Sequence, residues 1–154
     1  MLGIRDVKIM TMTGGTIEKG NVLLEDGKIR ACGRDADLSP CIKVIDGKGR
    51  VVTPGLIDAH THVGLSESGV GREGTDTNEG TNPLTPSLSV RDGINMQDQA
   101  FEIFRRSGIT TVGILPGSGN ILGGTGLALK CKGAIVDEAV LKDPIGMKAA
   151  LGEN

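Results

Sequence analysis

The chain changes character at Thr53-Pro54-Gly55, and that change constrains its fold more than any other feature. Before it, the short segments Val7 to Met12, Asn21 to Leu24 and Lys28 to Cys32, mostly apolar or β-branched, alternate with turn residues. Asp26-Gly27, set between Leu24 and Ile29, signals a type I′ hairpin, because both central positions of that turn need positive φ. Gly14-Gly15 and Asp46-Gly47 mark two more turns, and Arg50 to Thr53 supplies a further strand. Residues 1–53 therefore read as a small antiparallel β unit.

After Gly55 the pattern becomes strand, long loop, helix, strand. Leu56 to His62 is a short, mostly apolar strand with polar residues at its C-terminal end. From Val63 to Gln97 the chain is rich in Gly, Ser, Thr, Asn, Asp, Glu and Pro, and a loop of that length inside a compact domain is more often functional than idle. Asp98 is predicted to N-cap a helix running to Ser107, with Phe101 and Phe104 on its apolar face, Arg105 and Arg106 in its last turn and Gly108 as its C′ residue. Ile109 to Leu115, closed by Pro116-Gly117, is a buried strand, and strand, crossover helix and strand imply parallel pairing. Leu127 to Lys130 and Ala134 to Leu141 are expected as strands, and Gly146 to Leu151 as a helical turn.

Composition excludes several classes of function. Of 154 residues, 25 are glycine, yet without the period of three that a collagen needs. Phe101 and Phe104 are the only aromatic side chains, so the core must be assembled from Ile, Leu, Val, Met and Ala. A hydrophobic share of 38% with 23% charged residues belongs to a globular chain, and no apolar run approaches the ~20 residues of a membrane span. The net charge of −2 offers no basic footprint for nucleic acid. Without a secretory signal at MLGIRDVKIM, a cytoplasmic location is expected. Cys32, Cys41 and Cys131 are odd in number and lack C-x-x-C spacing, which points to reduced thiols.

The chemistry concentrates in Asp58-Ala59-His60-Thr61-His62. Side chains at i and i+2 of a strand share a face, so two imidazoles can converge on one metal ion, and neutral imidazole suits zinc and related metals. Two ordinary surface or core histidines would give the same spacing; the position at the C-terminal end of a parallel strand, where α/β enzymes keep reactive groups, favours the metal. Asp58 lies on the same face and either orients an imidazole from behind the ligands or caps nearby backbone amides. Glu67, Arg72, Glu73, Asp76 and Glu79 crowd the long loop and either read a substrate's polar groups or are solvated. The Gly-rich stretch Gly117 to Gly126 lacks a G-K-[ST] ending and the dinucleotide spacing, so it reads as one wall of a pocket, with Asn120 at the substrate, rather than as a nucleotide cradle.

The run from Val51 to His62, V-V-T-P-G-L-I-D-A-H-T-H, following the Glu25-Asp26-Gly27-Lys28-Ile29 hairpin, resembles the amidohydrolase superfamily, and more narrowly its imidazolonepropionase-like members. Thr81-Asn82-Pro83, Gly108 to Val112, Pro116 to Asn120 and Ala150 to Asn154 resemble the same subgroup. The resemblance implies an α/β chain: N-terminal strands of a small β-sandwich over residues 1–53, then the first βα units of an incomplete (β/α)8 TIM barrel over 54–154. It implies His60 and His62 as ligands of one or two divalent metal ions, zinc foremost, and a hydrolase of amide, cyclic amide or imine C–N bonds in small molecules. Some members use a carboxylated lysine, for which Lys130 is the weak candidate. A closed barrel takes about 250 residues. The chain is therefore expected to be the N-terminal part of such an enzyme, inactive alone, with the general base and remaining ligands outside it. Two other readings predict different behaviour: a non-catalytic remnant that self-associates or is covered by a complementing C-terminal segment, and a nucleotide-binding α/β module.

Overall fold

The computed structural model describes residues 1–152 and divides them into two compact units, Met1–Pro54 and the part from Gly55 onward. Of the stretches carrying the family resemblance, Glu153 and Asn154 lie outside the described residues. Both units are built on mixed sheets with few helices.

In the first unit, β1 (Leu2–Met10), β2 (Thr16–Glu25) and β3 (Lys28–Gly33) form the antiparallel meander that the turn residues predict. Asp26 and Gly27 both take positive φ, 49° and 73°, as a type I′ turn demands. The remaining pairing corrects the purely antiparallel expectation. β4 (Lys43–Asp46) and β5 (Val51–Val52) return to lie parallel to β1, giving the order β3-β2-β1-β4 with β5 beside β1. Parallel return needs a long connection, and residues 34–42, whose sequence carries no strand period, provide it. Val7, Ile9 and Val22 form the buried centre, with Ile4, Ile17, Leu24 and Val52 packed against it.

The second unit holds a four-stranded sheet in the order β6 (Leu56–Thr61), β7 (Ile109–Ile114), β8 (Leu122–Lys130), β9 (Val140–Ala149). β6 and β7 are parallel and joined through α1 (Ala100–Arg106), as the strand-helix-strand pattern predicts. The helix starts two residues after Asp98, whose Oδ1 accepts the Ala100 N–H at 3.0 Å, and ends before Gly108 at φ 87°. Phe101, 2% exposed, drives this face into a core with Val112, Ile114, Leu127 and Leu129.

Three local expectations are corrected. The Gly-rich stretch is a loop only to Ile121, because β8 starts at Leu122 and its glycines accommodate close backbone: a Cβ at Gly126 would lie 2.5 Å from the Ile114 carbonyl oxygen. Residues 134–141 hold one helical turn, α2 (Val136–Ala139), before β9 begins. The predicted helical turn from Gly146 is part of β9, which pairs antiparallel with β8 and takes its conformation from that ladder. Within this second sheet the parallel strand pair is β6 with β7, and β8 and β9 extend it as antiparallel strands. No helix among the described residues is long and apolar enough to cross a membrane.

Candidate metal centre

β6 is an edge strand, and its C-terminal end is pinned to β7 by contacts that surround the two histidines. The β-branched Thr61 between them is buried at 9% exposure and donates its hydroxyl to the Gly113 carbonyl at 3.3 Å. The Leu115 N–H donates in turn to the Thr61 carbonyl at 3.2 Å. Turning Thr61 inward leaves His60 exposed and His62 half-buried on the other face.

The imidazole rings stand 5.4 Å apart between centroids and are almost perpendicular, at 88°. Two imidazoles bound through nitrogen at about 2.0–2.1 Å on a tetrahedral ion have centroids about 5 Å apart, so the spacing accommodates a ligand pair, as it does ordinary edge-to-face packing of two rings. His62 Nδ1 lies 2.7 Å from the Leu115 carbonyl oxygen. A carbonyl can only accept, so Nδ1 carries the proton and the Nε2 lone pair is left for a metal. A ligating histidine is commonly held by such a backbone bond behind it. The residues present therefore fit half of a zinc-type ligand set. Among the described residues, no group of three or more His, Cys, Asp and Glu side chains comes together to hold an ion.

The other candidates fall at different places. Asp58 Oδ1 accepts the backbone N–H of His60 at 3.2 Å, which is the backbone-capping alternative. Glu67 accepts from the Asn95 side-chain amide at 2.8 Å, while Arg72 and Glu73 sit exposed in a single 3-10 turn, Gly71–Gly74. Asn120, expected at the substrate, is only 2% exposed and is spent on the loop. Its Oδ1 accepts from Glu79 N at 3.1 Å, and its Nδ2 donates to the carbonyls of Glu79 at 2.7 Å and Asn82 at 3.0 Å. Asn78 completes the stitching by accepting the Gly119 N–H at 2.7 Å. Lys130 lies at the far end of the sheet: it pairs with Thr111, whereas the histidines lie level with Ile114 and Leu115. Three residues of strand separate those levels by about 10 Å.

A cavity of about 260 Å3 opens between the long loop and the chain leaving β7, lined by Leu65, Asp76, Glu79, Val90, Asp92 and Pro116 among others. Neither histidine lines it, nor do Glu67, Arg72 and Glu73. The Glu79 carboxyl is held below its ordinary value by the Thr81 hydroxyl and then by the Thr81 N–H. Sequence reasoning missed the Leu115 carbonyl and Asn78. A backbone oxygen leaves no mark in residue identity, and Asn78 is one of several polar loop residues. The inward turn of Thr61 was missed as well; its β-branched side chain between two histidines that share a face is the signal that could have found it.

A crystal structure of an amidohydrolase from Thermotoga maritima superposes on the whole chain with a TM-score of 0.88 and 40% sequence identity, this chain covering 40% of that one. The amidohydrolase tasK of Hapsidospora irregularis is 30% identical over 149 residues, covering 90% of this chain and 15% of the relative. The imidazolonepropionase of Idiomarina loihiensis is 29% identical over 140 residues, covering 77% and 34%. The chain is thus similar in sequence and fold to the N-terminal part of amidohydrolases, as the motifs imply. Imidazolonepropionases are among these relatives, in agreement with the narrower resemblance. It spans 15% and 34% of the length of those two curated relatives. No family model matches it.

Proposed function

We propose that the chain is the N-terminal part of a metal-dependent hydrolase of C–N bonds in small amides, cyclic amides or imines, with His60 and His62 as two ligands of a divalent ion, zinc foremost. The observation that carries the reading is the perpendicular pair 5.4 Å apart, with His62 Nδ1 tied to the Leu115 carbonyl and Nε2 free. A divalent ion held there would polarise a carbonyl or imine and acidify water. The chain's own part is to present two imidazoles from the end of one strand and to hold the His62 tautomer by a backbone oxygen. The remaining ligands and the general base lie outside the described residues, in keeping with a barrel of which residues 54–154 supply β6 and β7 as the first parallel pair. Residues 1–53 belong in this reading to a β-sandwich, and the chain alone is inactive.

Glu67, Arg72 and Glu73 remain the candidates for reading a substrate's polar groups, and the reading gives Asn120 the role of shaping the loop. A cytoplasmic setting fits the reduced thiols. The test compares metal content and hydrolysis of small cyclic amides between the enzyme carrying this segment and its His60→Ala and His62→Ala variants. Loss of both metal and turnover is expected. Retention of both in either variant would overturn the reading.

A further inference from the structure

We propose that Gly113 is a positioning residue for the histidine pair: its missing side chain lets the bulged backbone of β6 seat against β7, and that bulge aims His60 and His62 at one point. The inference rests on the reading of the pair as metal ligands. Between the pairs Asp58↔Val112 and Thr61↔Ile114, β6 advances three residues while β7 advances two. The extra residue therefore falls at Ala59-His60, directly at the first histidine. A bulge of this kind kinks its strand and redirects the side chains on it.

Gly113 is what the bulge leans on. A Cβ built there would lie 2.5 Å from the Ala59 carbonyl oxygen, 3.1 Å from its carbonyl carbon and 3.3 Å from Ile145 Cδ1. The first two neighbours are backbone and cannot swing aside as a side chain can. Gly113 is absent from the residues with positive φ, so space rather than backbone conformation calls for glycine. The same residue's carbonyl accepts the Thr61 hydroxyl, and two residues on, the Leu115 carbonyl holds His62. Gly113 and Leu115 thus govern Ala59, Thr61 and His62 in turn, and His60 is covalently carried between the first two. A side chain at 113 pushes the Ala59 carbonyl outward, rotates His60 away from His62 and loosens the Leu115 bond.

The experiment uses the full chain and five variants: Gly113→Ala, Ile145→Ala, their double, Thr61→Val and, as the control for the ligand reading, His60→Ala. Zinc affinity is measured by competition with a chromophoric chelator. The His62 tautomer is read from long-range nitrogen–proton NMR of the metal-free protein, and folding from amide exchange in Leu127 to Leu129. Wild type is expected to bind zinc with His62 in the Nδ1–H form. Gly113→Ala should weaken zinc at least tenfold, the order of loss seen when the support behind a ligating histidine is removed. Adding Ile145→Ala should not restore it, because the backbone clash remains. Thr61→Val, which keeps the side-chain shape, should weaken zinc severalfold and reduce the Nδ1–H population.

Unchanged zinc affinity and tautomer in Gly113→Ala would overturn the proposal, as would full recovery in the double variant, which would assign the effect to Ile145 packing. If Gly113→Ala does not fold, Thr61→Val decides, and wild-type zinc affinity and tautomer there overturn it. A wild-type chain whose zinc binding is absent or indifferent to His60→Ala refutes the ligand reading instead. The metal-free tautomer comparison then still tests the role of Gly113 in setting the ring geometry.

Discussion

Replacing Asn120 by alanine should loosen the long loop without touching either histidine. Its side chain makes three hydrogen bonds, accepting from Glu79 N and donating to the carbonyls of Glu79 and Asn82, at 3.1, 2.7 and 3.0 Å. Each contributes about 0.5–1.5 kcal/mol net, and a buried partner left unpaired costs about 1–3 kcal/mol. Asn82 is exposed and regains water, whereas Glu79 is half-buried and regains it only in part. The expected loss is therefore about 3 kcal/mol. Asn120→Asp provides an internal control: it keeps an acceptor for the Glu79 N–H but sets a carboxylate oxygen against two carbonyl oxygens. It should be at least as destabilising as alanine. The assay is native-state hydrogen exchange at the Glu79 amide and at Leu127 to Leu129, alongside the urea midpoint at constant slope. A loss below about 1 kcal/mol with the Glu79 amide still protected would refute the assignment, since three bonds of this kind cannot vanish at so small a cost. So would an aspartate variant of wild-type stability.

Three further outcomes follow from burial and charge. Burial raises the Cys131 thiol above its ordinary value while Cys32 is exposed, so iodoacetamide followed by peptide mass spectrometry should label Cys32 first and Cys131 last; equal rates would contradict this. The lowered Glu79 value gives stability that is present above the unfolded-state pKa and lost as pH falls through the folded one; Thr81→Val removes the larger cause and should move the Glu79 carboxyl midpoint upward in a carbon-13 titration. Phe101→Ala, at a residue 2% exposed in the core beneath α1, should destabilise the second unit by about 3–5 kcal/mol in urea unfolding.

What could be read from the residues was whatever local chemistry decides. Asp26-Gly27 dictated a turn because both positions need positive φ, and the structure has them there. The helix around Phe101 and the parallel pairing of β6 with β7 followed from an apolar face, a C′ glycine and the length of the connection. What failed depended on partners distant in sequence. β4 is parallel to β1 because of where residues 34–42 lead the chain, and β9 is a strand because β8 offers it a ladder, although Gly146 to Leu151 has no strand period of its own. Glycine was the most misleading signal. In the 117–126 stretch it suggested a loop, whereas Gly124 and Gly126 sit in β8 against the carbonyls of Leu88 and Ile114. At the site, the spacing of His60 and His62 was legible, but the oxygen that fixes the His62 tautomer belongs to a backbone and the residue that admits the bulge is a glycine with no side chain to notice.

The central claim is that His60 and His62 together bind one divalent ion. X-ray absorption at the zinc edge of the zinc-loaded chain tests it most directly. The account predicts two imidazole nitrogens at about 2.0–2.1 Å in wild type, with one imidazole lost in His60→Ala and one in His62→Ala. A zinc shell without imidazole scattering, or one unchanged by either substitution, would contradict it.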